Sequence, residues 1–144
     1  MEFQKIKLHR SEKNRAAVTQ ITLDDDYNVP DYRQDIVKVI KERGELRFDE
    51  VKAMEGAAWI KGSLVFKVLY RSDKQEGKIS CLRGEIPFQE RLNMDGLSEY
   101  DAVHATGDME DLTIGVINSR KLNVRAVIVL TASSEKEVDE ELTC

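Results

Sequence analysis

Ile117-Asn-Ser-Arg-Lys-Leu-Asn-Val-Arg-Ala-Val-Ile-Val-Leu130 decides the fold class of this chain. Its first part, Asn118 to Lys121, has the side chains of a tight turn, because Asn and Ser hydrogen-bond their own backbone. Residues 122–130 are rich in β-branched side chains, which pack well on a pleated surface. Leu122, Val124, Ala126 and Ile128 share one face, while Val127 and Val129 occupy the other. Apolar residues on both faces predict a central strand over 121–132.

The same reading extends upstream. Residues 59–70 form a second long strand, with Leu64, Phe66, Val68 and Tyr70 on one face and Ile60, Val65 and Leu69 assigned to the other, again a central position. Leu46 and Phe48 alternate with Arg47 and Asp49, and Val51 resumes the pattern after a bulge. Residues 72–77 read as a polar hairpin connection, 78–84 as a strand, and Glu85-Ile-Pro-Phe88 as an edge segment, since Pro87 has no N–H to give a ladder. Residues 93–98 are a loop, and 102–111 and 112–117 are two weaker strands. Val18-Thr-Gln-Ile-Thr-Leu23 is a strand that the mutual repulsion of Asp24, Asp25 and Asp26 should end. Ile36, Val37 and Ile40 fall at helical spacing between Pro30-Asp31 and Gly44, which predicts one short amphipathic helix over 31–42. Residues 1–17 are basic and mix both periods, so helix and strand stay open there.

These elements describe a mostly β domain, a β-sandwich or curled antiparallel sheet of seven or more short strands with one short packed helix. The domain is expected over 1–132. Residues 133–144 are acidic and read as a tail or interdomain linker. A chain of 144 residues with 41% hydrophobic residues suits one core.

Charge and motif content argue against several function classes. Acids outnumber bases 27 to 22, for a net charge of -5, so nucleic acid is not an expected partner. No apolar run is long enough to span a bilayer and the charged start lacks a signal peptide's apolar core, so cytoplasmic residence without membrane insertion is expected. Two cysteines, Cys81 and Cys144, suggest reduced thiols rather than a disulfide framework. His9 and His104 have no ligand partners at metal-binding spacing, Asp24 to Asp26 lack an EF-hand's pattern, and Ser119 and Ser134 lie in no nucleophile elbow. The expectation is no enzyme, no cofactor and no metal. Tyr27, Tyr32, Trp59, Tyr70 and Tyr100 could line a sugar site, although Trp59 at the head of an apolar strand reads first as core.

Several segments together carry a family resemblance. Gln20-Ile-Thr-Leu-Asp-Asp-Asp26, Val29-Pro-Asp31 with Asp35-Ile36, the strand Gly62 to Tyr70 followed by Gly77, Gly84-Glu-Ile-Pro-Phe88, and Ile117 to Val124 resemble the SPOCS domain of clostridial spore-coat morphogenetic proteins of the SipL type. The chain would supply a single repeat without the LysM module that ends such proteins. The resemblance implies a non-enzymatic assembly domain of the spore envelope, working through protein–protein contacts on the mother-cell side at the forespore surface or coat. Spore-coat or coat-basement proteins, or other SPOCS repeats, would be its partners, and self-association is left open. A peptidoglycan-binding β-sandwich module is the alternative. The resemblance marks no catalytic residue. The polar loops offer the candidate interaction residues Tyr27, Asp31, Tyr32, Arg33 and Asp35 in one cluster, and Asn118, Arg120 and Lys121 in the other. Each has a purely structural reading too, as turn and connection chemistry.

Overall fold

The computed structural model describes the backbone of residues 6–72 and 79–142 and the side chains of 15–72 and 79–134. Six strands follow one another: β1 (Ile6–Asn28), β2 (Lys38–Met54), β3 (Ala57–Arg71), β4 (Ile79–Asn93), β5 (His104–Asn118) and β6 (Lys121–Leu142). They form two three-stranded antiparallel sheets with orders β1-β6-β5 and β2-β3-β4. The sheets stack with β1 against β4 and β5 against β2, which leaves β6 over β3 at the centre. This is a β-sandwich, and the two strands expected to be central are the middle strand of each sheet.

Alternation builds the core between the sheets. Leu64, Phe66, Val68 and Tyr70 of β3 face Leu122, Val124, Ala126, Ile128 and Leu130 of β6, and all nine are fully buried. Ile60 joins this inner row rather than the outer face assigned to it. Leu82, Ile86 and Phe88 of β4 close one side, while the half-buried Leu46, Phe48, Met109 and Leu112 close the other. Burying a side chain of this size contributes ~1.5–3 kcal/mol, so the two central strands dominate the hydrophobic stabilisation. Trp59 is half-buried rather than central.

The strands are fewer and longer than the sequence suggests, because bulges reset the alternation within them. The two strands expected over 102–111 and 112–117 are one strand, β5, which starts at His104 and whose register shifts between Met109 and Asp111. A bulge between Phe48 and Glu50 carries Val51 back to the inner side. Asp24, Asp25 and Asp26 do not end their strand either, and β1 continues to Asn28. Asn123 on the neighbouring strand donates its Nδ2 to Asp24 at 2.9 Å and Asp26 at 3.1 Å, so opposite-strand donors relieve the repulsion. At the far end β1 starts at Ile6 and β6 runs to Leu142 as its antiparallel partner, so strand pairing continues past residue 132. The expected 72–77 connection and Cys144 lie largely outside the described residues.

No helix forms among the described residues, and the one expected over 31–42 is a correction. A single turn closes where Arg33 donates its N–H to the Pro30 carbonyl at 2.9 Å. The chain then straightens into β2. A short helix is marginal alone, whereas Lys38 to Met54 pair with β3 except at the bulged Ile40 and Asp49. The helical spacing of Ile36, Val37 and Ile40 marks no common face: Ile36 is buried, whereas Val37 and Ile40 are exposed, and Ile40 is the residue skipped at the register shift between Val39 and Lys41. Gly44, expected as a helix stop, sits mid-strand beneath β5, where a Cβ would lie 2.8 Å from Met109 Cε and 2.9 Å from Leu112 Cδ2.

Candidate functional site

The two polar clusters lie about ninety residues apart in sequence and meet at one end of the sandwich. One is the connection between β1 and β2, residues 29–37, and the other is the tight β5–β6 turn at residues 118–121. Two backbone bonds dock them: Val29 N–H donates to the Arg120 carbonyl, and Ile36 N–H to the Ser119 carbonyl, each at 2.9 Å. Val29 and Ile36 are buried beneath, 4% and 2% exposed, so the connection is pinned by apolar anchors as well.

Arg120 holds this junction. Its Nη1 donates to the Arg33 carbonyl at 2.7 Å and to Asp35 Oδ1 at 3.1 Å, and its Nη2 to the carbonyls of Val29 at 3.2 Å and Pro30 at 2.7 Å. A planar guanidinium presents several donors in a fixed fork, which suits a loop whose carbonyls converge. Asn118 Oδ1 accepts from the Arg120 backbone N–H at 2.8 Å, which shapes the turn that aims Arg120. Lys121 lies 3.9 Å from Asp26 across β1 and β6.

The candidate residues therefore divide. Asn118, Arg120 and Asp35 are engaged in holding the junction. Tyr27 turns inward, its ring edge-on to Phe66 with centroids 5.0 Å apart. Burial, followed by the nearby Tyr32 and Glu85, pushes its hydroxyl above its ordinary value. Asp31, Tyr32 and Arg33 stand exposed at the crest of the loop, Tyr32 at 81%. Arg33 lies 5.6 Å from the Tyr32 ring centroid, a cation–π pair. The crest thus displays an aromatic, a cation and an anion on a loop held by Arg120.

Two residues from outside both clusters, Ser80 and Tyr70, join the rim. Ser80 of β4 donates its hydroxyl to Gln34 Oε1 at 2.9 Å, and together with Tyr32, Arg33 and Tyr70 they line a cleft of about 170 Å³. Nothing local in the sequence singles out Ser80, which reaches the rim only because β4 starts beside it. The five aromatics proposed for sugar stacking do not form one group: Tyr70 is buried, Tyr27 packs on Phe66, and Tyr100 in the 94–103 loop, with half-buried Trp59 near the start of β3, lies at the opposite end from Tyr32. His104 is exposed at the start of β5, and no metal-holding group of His, Cys, Asp or Glu occurs among the described residues.

A family model described as SipL, SPOCS domain matches residues 35–117, more than half of the chain. The chain belongs to that family. No curated protein and no solved structure gives a significant match. The SPOCS match begins at Asp35 within the junction and covers β2, β3, β4 and nearly all of β5. Arg120, which holds Asp35, stands just beyond it. Membership makes the chain a sporulation-related β domain.

Proposed function

We propose that this SPOCS domain is a non-enzymatic assembly module of a spore-envelope morphogenetic protein, acting through protein–protein contacts at the forespore surface or in the coat. The observation that carries the reading is the rim itself. Arg120 fixes a loop whose crest exposes Tyr32, Arg33 and Asp31, and a preorganised aromatic–cation pair loses little freedom on binding. Family membership supplies the sporulation context. The domain is proposed to contact spore-coat or coat-basement proteins or further SPOCS repeats. Glycan recognition lacks support of this kind, because the exposed tyrosines Tyr32 and Tyr100 do not share a face.

The test sets two assays side by side. The immobilised domain is offered purified coat and coat-basement proteins, and the free domain is sedimented with purified peptidoglycan. Retention of a coat protein without co-sedimentation is the expected result. Co-sedimentation with peptidoglycan and no retained coat protein would overturn the reading in favour of a glycan-binding module.

A further inference from the structure

The outer face of the β2-β3-β4 sheet carries charge that the fold does not need. Arg43, Lys67 and Arg83 are register partners in one row across the three strands, and Lys41, Leu69 and Cys81 form the adjacent row. All six are exposed. Like charges directly opposite one another on neighbouring strands destabilise a sheet. Here three cations stand abreast in a chain whose net charge is -5.

Local carboxylates answer only part of this charge. Glu85 accepts from Arg83 at 3.0 Å and from Arg47 at 2.8 Å, so it is already shared. Glu45, beside Val65 in the next row, is the other acid on this part of the face among the described residues. Among the described residues no carboxylate forms an ion pair with Lys41, Arg43 or Lys67. These three, with Leu69 and Cys81, line a cleft of about 270 Å³. Leu69 remains 39% exposed in the middle of the cations.

We propose that this face docks an acidic segment of a partner protein, with carboxylates on Lys41, Arg43 and Lys67 and an apolar side chain on Leu69. The inference rests on the reading as a protein-contact domain and names a second surface, the outer sheet face that begins beside the rim, where Leu69 and Cys81 follow Tyr70 and Ser80 in the ladder. The patch is two rows of a three-stranded sheet, roughly 10 Å by 7 Å from ordinary strand and residue spacings. That area matches a few carboxylates rather than a phosphate stripe. No aromatic side chain lines the cleft for base stacking, and the acidic remainder of the molecule repels a long polyanion.

The test is a fluorescence-anisotropy titration of the whole chain with a labelled heptapeptide alternating Glu and Leu. Its Lys–Leu counterpart, a twelve-nucleotide single-stranded DNA and vesicles containing anionic lipid are titrated in parallel. Saturable binding of the Glu peptide alone is expected, falling at least about tenfold in high salt, where exposed charges are screened. The Lys41→Glu, Lys67→Glu double variant is expected to weaken binding at least as much while melting no lower than wild type, since reversal breaks up the like-charge row. If that variant does not fold, Lys67→Gln replaces it, with the same direction expected. Undiminished binding by the variant, or no saturable binding by wild type, would overturn the proposal. So would tighter binding of DNA or vesicles than of the Glu peptide. Peptide binding that fails while coat-protein capture persists removes this surface alone, whereas the reverse outcome removes the rim's proposed role.

Discussion

Gly84 lies directly across the β3–β4 ladder from Phe66, and the Phe66 ring occupies the space that a Cβ on residue 84 would fill. Gly44 is the partner of Phe66 on the other side. A ring flanked by two glycines across three strands can lie flat on the sheet, with Tyr27 of the opposite sheet meeting it edge-on.

Phe66→Ala is expected to destabilise the domain by ~3–5 kcal/mol, the usual loss for a buried phenylalanine. Gly84→Ala forces the ring to move and should cost ~1–3 kcal/mol. In the double variant the added methyl enters space the ring has left, so the two losses should fall short of adding. Denaturant midpoints of the four proteins check this. Full additivity would mean that residue 84 does not seat the ring.

Arg120→Ala should lower stability by ~1–3 kcal/mol, since loop carbonyls and Asp35 lose a charged donor. Arg120→Lys should recover little, because one ammonium cannot reach acceptors spread over Val29, Pro30, Arg33 and Asp35. Hydrogen exchange would show faster opening at the Ile36 amide, which is bonded to Ser119. Unchanged protection there would place the junction's strength elsewhere.

Arg47 reaches across β3 to Glu85 at 2.8 Å, above Ser63 and Val65, which are only 6% and 5% exposed on an outward face. The Arg47 hydrogen bond is the main reason that the Glu85 carboxyl titrates below its ordinary value of 4.5, with the charges of Arg47 and Arg83 adding to it. A carboxyl depressed on folding contributes stability above its unfolded value, and the contribution disappears as pH falls through the folded one. Wild type should therefore lose more stability than Glu85→Gln on acidification below about pH 5. Denaturation midpoints between pH 7 and pH 3 check it, and parallel curves would count against the link.

Charge reversal at both Arg33 and Lys121 should weaken coat-protein capture while changing stability by only ~0–1 kcal/mol, the range for exposed charges. Undisturbed capture by the doubly reversed protein would exclude the rim as the contact. Loss of folding would show that these residues serve structure alone.

Strand periodicity is a local property, and for that reason much of the sandwich was legible in the sequence. Leu64, Phe66, Val68, Leu122, Val124, Ala126 and Ile128 repeat every second residue, and all seven are fully buried. The same alternation, apolar on both faces, marked β3 and β6 as central, as the sheet orders show. Pro87, without an N–H to donate, belonged at an edge and lies on the edge strand β4.

What needed tertiary structure was whatever depends on phase or on distance along the chain. A bulge inserts one residue and shifts the alternation, so the one at Met109 made one strand look like two, while Ile36, Val37 and Ile40 looked helical although only Ile36 is buried. Asp24 to Asp26 looked like a stop because their relief comes from Asn123, on a strand nearly a hundred residues later. The polar loops announced themselves by composition, but only the stacking of the two sheets brought Arg120 onto the carbonyls of Val29, Pro30 and Arg33. The cationic row of Arg43, Lys67 and Arg83 likewise exists only through register. Hydrophobic alternation specifies which face of a strand is buried, whereas neighbours across a sheet are chosen by the pairing of the whole chain.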